Sequence, residues 1–320
     1  MNGADAVETL ARRVRANIER VIVGKPEIIE HALVAVLCEG HILLEDVPGI
    51  GKTMLAKALA RSLGCTFRRI QCTPDLLPAD ITGLEFFNQK TQGFEFRPGP
   101  IFAQVVLADE INRATPRTQS ALLECMEEHQ VTVEGQTRAL ARPFIVLATQ
   151  NPVELQGTFP LPEAQLDRFL LRIALGYPAA DQEQEILRRY RTTRPLDDLE
   201  AVTDAREIQA IIDEVRGIYV SAAVEAYVIA VAAATRVHPD VELGLSPRGS
   251  LALMRTAQAH ASIRGRGFVL PDDLKAMAPL VCAHRLMLSS GARLRDRTAV
   301  EIVGEALRSV PAPVERESRP

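Results

Sequence analysis

Three features of this 320-residue sequence predict an α/β fold with a parallel sheet, followed by a helical second domain. Runs such as Val105-Val106-Leu107-Ala108 and Phe144-Ile145-Val146-Leu147-Ala148 are apolar without alternation, as in strands buried on both faces. Strand-like runs alternate with helical periodicity up to Tyr177-Pro178. Beyond that point only amphipathic helical patterns follow, so the division between domains is expected near residue 178. With 47% apolar residues, the chain can bury a large core and divide in two.

The elements follow in order. Residues up to about Ile22 carry helical spacing, Gly24 marks a turn, and a second helix is predicted from Pro26 to about Glu39. Then come strand 41–45, helix 52–63, strand 66–71, strand 105–109, helix 117–128, strand 144–150 and strand 169–175. Two stretches stand outside the alternation. Residues 86–96 and 130–141 each read as two short strands around a polar turn containing glycine, and so as inserted hairpins. The last ten residues, rich in Pro, Arg and Glu, read as a disordered tail.

The segment from His41 to Thr53 carries the first chemistry. An apolar run ends in Asp46-Val47-Pro48-Gly49-Ile50-Gly51 and is followed by Lys52-Thr53. Gly49 and Gly51 allow backbone N–H groups to turn inward without a Cβ clash, and a helix opening at Gly51 adds the positive end of its dipole. An anionic phosphate fits such a cradle. Lys52 would reach the β- and γ-phosphates, and the Thr53 hydroxyl would complete the shell of a Mg²⁺ ion. Asp46 stands where the pattern G-x-x-x-x-G-K-[ST] has its first glycine, a position that starts the turn without touching phosphate most closely.

Asp109 and Glu110 end a buried strand, and side-chain alternation sends them in different directions. Asp109 would hold Mg²⁺ directly or through water, while Glu110 would orient and deprotonate the attacking water. The plain alternative is that the pair caps the following helix. Asn151, just past the next strand, could position that water or sense the γ-phosphate, or could be a turn Asn before Pro152; Gln150 is a lesser candidate. Arg168 precedes the last strand and could reach the pocket of a neighbouring subunit, which implies a ring, or pair with a nearby surface acid. Ser246 and Pro247 open a helix from which Arg248 projects, either toward a γ-phosphate or into a surface ion pair.

Composition removes other classes. The five cysteines have no C-x-x-C spacing and the six histidines no H-E-x-x-H pair, so reduced core thiols are expected in place of disulfides or a catalytic metal held by the protein alone. No N-terminal segment joins a basic flank to an apolar stretch, and no window reaches membrane-spanning length, so a cytoplasmic protein without membrane insertion is expected. A formal charge of −4 argues against indiscriminate nucleic-acid binding.

Together these residues resemble the AAA+ ATPases, and more narrowly the MoxR family. The narrower likeness rests on Glu45 to Thr53, Phe96-Arg-Pro-Gly-Pro-Ile-Phe102, Asp109-Glu-Ile-Asn-Arg-Ala114, Gln119 to Glu124, Ala148 to Pro152 and Leu161 to Phe169. It spans about residues 10 to 310. The resemblance implies an AAA+ P-loop NTPase core at 1–178, with a five-stranded parallel sheet in the order 5-1-4-3-2, and an all-α lid at 179–310. It makes the hairpins at about 84–98 and 129–142 the helix-2 and pre-sensor 1 inserts, both usually facing the pore or a client, and leaves 311–320 as the tail. It implies ATP and Mg²⁺ as cofactors. Lys52 and Thr53 become Walker A, with Pro48, Gly49, Ile50, Gly51 and Met54 around the nucleotide. Asp109 and Glu110 become Walker B, Asn151 sensor 1, Arg168 the arginine finger and Arg248 sensor 2. Gly24 lies in the segment placed against adenine, and Arg113 is a further candidate near the subunit interface. Implied partners are further copies of the chain, with a hexameric ring the expected form, and a protein client, a von Willebrand factor A domain protein being one candidate. A magnesium-chelatase-like motor and a nucleic-acid-remodelling motor are the alternatives. The second calls for basic or aromatic hairpin tips, whereas Asn88 to Gly93 and Glu134 to Arg138 are polar and weakly basic.

Overall fold

The computed structural model describes residues 3–152, 157–192 and 194–313. It forms two compact units, Leu10–Ala210 and Met1–Thr9 with Ile211–Pro320. Residues 179–210 thus pack with the first unit. Arg189 donates to the carbonyls of Glu19 and Arg20, and Val202 N–H to that of Ser62. The tail lies outside the described residues from position 314 on.

The first unit contains most of α1 (Gly3–Ile18), then α2 (Pro26–Leu37), β1 (Ile42–Glu45), α3 (Lys52–Ser62), β2 (Phe67–Gln71) and α4 (Pro78–Thr82). A hairpin of β3 (Gly83–Asn88) and β4 (Gly93–Pro98) precedes β5 (Val105–Asp109) and α5 (Pro116–Glu128). A second hairpin, β6 (Gln130–Val133) and β7 (Gln136–Ala139), precedes β8 (Ile145–Gln150), α6 (Glu163–Leu166), β9 (Leu171–Ile173) and α7 (Ala180–Tyr190). Both hairpins fall where the sequence places them.

The sheet runs β2-β5-β8-β1-β9 with every neighbouring pair parallel. Counting only its own strands, this is the expected 5-1-4-3-2 order. The central strands β5 and β8 are buried except at their last residues, as their unbroken apolar runs require. Edge strand β2, in contrast, exposes Arg68 and Arg69. Phe144 and Phe169 are fully buried, each stabilising the fold by about 1.5–3 kcal/mol through removal from water. The last strand is shorter than the expected 169–175: Phe169 N–H still donates to Leu166 O in the turn after α6, and by Gly176, whose N–H donates to Asp46 Oδ2 (2.6 Å), the chain has left the ladder.

In the second unit, α8 (Ala205–Arg216) enters from the first and is followed by α9 (Ala222–Arg236), β10 (Val241–Leu243), α10 (Pro247–Ile263) and α11 (Pro271–Cys282). Then come β11 (Met287–Leu288), α12 (Ser290–Leu294) and α13 (Ala299–Ser309). The antiparallel β10–β11 ribbon is an addition to the expected all-helical pattern, too short for alternation to reveal it. Burial pushes the Cys72, Cys125 and Cys282 thiols up to about 12, so these cysteines are inert packing groups.

Inside this unit, Asp273 accepts from Arg266 Nη1 (2.7 Å) and Nη2 (2.6 Å) and from Leu270 N–H (2.8 Å), with His260 Nδ1 at 2.6 Å. Burial alone would push the Asp273 carboxyl up, but the hydrogen bonds from Arg266, His260 and Leu270 outweigh it and hold it well below the usual carboxylate range. A carboxyl lowered in the folded state contributes stability that is complete above its unfolded pKa, about 3.9, and is lost as pH falls through the folded value. Asp273→Asn should therefore cost roughly 3–5 kcal/mol at pH 7, with a gap to the unaltered protein that narrows below about pH 4 in urea unfolding curves.

Candidate nucleotide site

The loop between β1 and α3 has the shape its glycines suggest, for a reason that differs in part from the expected one. Gly49 (φ +86°) and Gly51 (φ +99°) adopt left-handed conformations, and a Cβ on either would meet nothing within 4 Å. The requirement is thus backbone conformation rather than a clash with protein, and the space beside both residues is open for a ligand to approach the main chain. Gly51 caps α3, so Lys52 and Thr53 begin a helix whose first N–H groups have no partner within it.

Asp46, the residue that departs from the general phosphate-loop pattern, ties the loop down. Its carboxylate accepts from Val47 N–H (2.9 Å) and Gly176 N–H (2.6 Å), and its own N–H donates to Gln150 O (3.1 Å). Lys52 Nζ donates to Asp46 O at 2.7 Å. Burial lowers the Lys52 pKa, against an opposing pull from Asp109, Asp46 and Glu110.

The carboxylate pair sits at the end of β5. Thr149 on β8 donates to Asp109 Oδ1 (2.6 Å) and accepts from Glu110 N–H (2.8 Å). Glu110 has φ +58°, a left-handed conformation uncommon outside glycine and held here by its surroundings. Its Oε2 accepts from Gln71 Nε2 (3.1 Å), and Arg113 Nη1 lies 3.4 Å from the same oxygen. Asp109 Oδ2 accepts from Arg69 Nη2 (2.5 Å) and Nε (3.1 Å). Sequence reasoning missed Arg69, Gln71 and Thr149. The only available signal was that β2 ends on polar residues beside β5.

Asn151 follows β8 directly, at the edge where β1 leads into the loop. Arg168 is brought elsewhere: its Nε lies 3.0 Å from Glu127 Oε2 on α5, the surface pairing that was its plainer reading. Arg248 stands exposed in the first turn of α10, where Ser246 Oγ accepts from Gly249 N–H (3.2 Å), so it belongs to the second unit.

A cavity of about 450 Å³ adjoins the loop, with Pro48, Gly49, Ile50, Gly51 and Met54 in its wall. Val23 and Lys25 also border it, on either side of Gly24. Gly24 has φ +71°, and a Cβ there would lie 2.2 Å from the Gln182 side chain. Apart from Glu183, the rest of the wall is largely apolar and includes Leu175, Tyr177, Leu187 and Tyr190, none of which the sequence marked as a site residue. Tyr177 and Leu187 are 75% and 69% exposed, so the cavity offers a solvent-facing apolar surface on which a planar base could lie.

Among the described residues, no cluster of three or more His, Cys, Asp or Glu could hold a metal by itself. Mg²⁺ suits this site, since it binds through one or two protein oxygens together with substrate phosphates. Thr53 and Asp109 are the residues that would supply such oxygens.

A phosphate loop opening a helix, beside a parallel sheet that ends in paired carboxylates, defines the class of P-loop nucleotide-binding proteins. Residues 41–171 match the ATPase family associated with various cellular activities (AAA), and residues 233–306 match the AAA lid domain. Chaperone MoxR1 of Mycobacterium tuberculosis is 42% identical, over 94% of this chain and 81% of its own length. Protein MoxR of Methylorubrum extorquens is 32% identical over 95% of both chains, and the uncharacterized protein YeaC of Bacillus subtilis 50% over 94% of both. A crystal structure from Cytophaga hutchinsonii, described as a candidate ATPase, superposes with a TM-score of 0.92 at 37% identity, over 98% of this chain and 97% of the other. The chain belongs to the MoxR family of AAA+ ATPases.

Gly51→Ala should cost about 1–2 kcal/mol through its left-handed backbone alone, since its methyl group meets open space. The same variant should bind a fluorescent nucleotide analogue more weakly, as that space faces the ligand. Unchanged thermal unfolding and unchanged binding would contradict this account of the loop.

Proposed function

We propose that the protein hydrolyses ATP to ADP and phosphate, with Mg²⁺, at the interfaces of a homo-oligomeric ring in the cytoplasm, and uses the cycle for chaperone-like remodelling or activation of protein complexes. The observation that carries this reading is the placement of the phosphate loop, the Asp109–Glu110 pair and an apolar cavity along one unit's sheet edge. The apolar wall would hold the base, and the loop N–H groups with Lys52 would hold the phosphates. Mg²⁺, bound through Thr53 and Asp109, would neutralise charge on the terminal phosphates. Glu110 would take the proton of the attacking water, with Asn151 orienting it.

Arg168 would act on a neighbour's nucleotide after exchanging Glu127 for phosphate oxygens, and Arg248 would link the lid to the γ-phosphate. The chaperone name of the mycobacterial relative supports a protein client, a von Willebrand factor A domain protein being one candidate. The first hairpin supports the same choice. It exposes Phe87 and Phe94 as an edge-to-face pair 5.5 Å apart, on its strands and not at its polar tip. Residues 83–98 balance Glu85 and Glu95 against Lys90 and Arg97, so there is no basic excess to neutralise a nucleic-acid backbone. Among the described residues, no helix is long and apolar enough to cross a membrane.

Glu110→Gln should retain nucleotide binding while phosphate release falls by roughly 10²–10⁴-fold, and near-normal turnover would remove Glu110 from this role. Lys52→Ala and Arg168→Ala should each be inactive alone. Their mixture should regain activity, because an intact phosphate loop then meets an intact arginine at some interfaces. A mixture as silent as its parts would count against catalysis in trans.

A further inference from the structure

Asp109 is crowded with donors for a carboxylate expected to meet a cation. A carboxylate offers about four lone-pair positions. Here the Thr149 hydroxyl takes one on Oδ1 (2.6 Å), while Arg69 directs Nη2 (2.5 Å) and Nε (3.1 Å) at Oδ2. Asp109 is only 14% exposed at its side chain, whereas Arg69 is 47% exposed and has room to swing away. The same Arg69 Nη2 donates to Gln71 Oε1 (2.5 Å), and Gln71 Nε2 donates to Glu110 Oε2 (3.1 Å). One guanidinium therefore reaches both carboxylates, the first directly and the second through an amide.

We infer that Arg69 is a positioning residue that competes with the divalent cation for Asp109 Oδ2. The inference rests on the proposed role of Asp109 as the carboxylate facing the cation. Two like charges cannot share one carboxylate oxygen at contact distance without repulsion, so cation binding and the Arg69–Asp109 pair oppose each other. Because β2 and β5 pair in register, Gln71 opposite Asp109, the arginine and the amide leave the sheet together.

The test compares the unaltered full chain with Arg69→Gln and Arg69→Lys. Mn²⁺ binding to the protein with a non-hydrolysable ATP analogue is followed by electron paramagnetic resonance, and fluorescent nucleotide binding is measured in chelator. Arg69→Gln should lower the Mn²⁺ concentration for half-saturation by at least about fivefold and leave affinity in chelator within about twofold. Arg69→Lys, which keeps the charge but loses the fork, should fall between. Superimposable Mn²⁺ curves, or weaker binding in Arg69→Gln with an unchanged melting temperature, would overturn the inference while leaving the site reading intact. Absence of any nucleotide-dependent Mn²⁺ signal in the unaltered protein would overturn both. If Arg69→Gln does not fold, Arg69→Lys decides the matter: no gain in Mn²⁺ affinity sinks the idea.

Discussion

The geometry of the site depends on one hydroxyl. Thr149, buried in β8, donates to Asp109 Oδ1 and accepts from Glu110 N–H, spending both hydrogen-bonding capacities on consecutive residues of the neighbouring strand. The first bond orients the Asp109 carboxylate. The second helps hold Glu110 in its left-handed backbone. This arrangement needs the parallel register in which Ala108 faces Ala148, since a shift of one residue would point the hydroxyl to the opposite face.

A second constraint gathers the loop and the far side of the sheet. Asp46 bonds through its N–H to the last residue of β8 and through its carboxylate to the chain after β9, so the phosphate loop is anchored to the ends of both neighbours of β1. A glycine at this position would keep the backbone bond to Gln150 but lose the carboxylate bond to Gly176. The anchorage also aims Asp46 O at Lys52, holding the ammonium near the carboxylates that oppose its loss of charge on burial. The residue that weakens the general motif thus strengthens the particular loop.

The same logic explains why α7 belongs with the nucleotide-binding unit. Leu187 and Tyr190 from α7 complete an apolar wall begun by the loop and by the segment around Gly24. Gly24 is required by its positive φ, and it lies close against the amide end of Gln182 on α7. That closeness could not be read from a glycine in a turn, and it accounts for the first unit extending past residue 178.

By itself the sequence determined the strands of the parallel sheet, the main helices of the first unit, the two hairpins and the identity of the phosphate loop, because unbroken apolar runs, helical periodicity and glycines with a following Lys-Thr are local properties. The approach of the loop to Asp109 and Glu110 was legible as chain order. Tertiary structure alone decided what surrounds those residues: Thr149 between the carboxylates, Arg69 and Gln71 across from β2, Glu127 on Arg168, and tyrosines in the cavity wall. Each of these contacts joins residues far apart in the chain, and their partners are set by strand register and helix packing, which no local pattern of residues encodes.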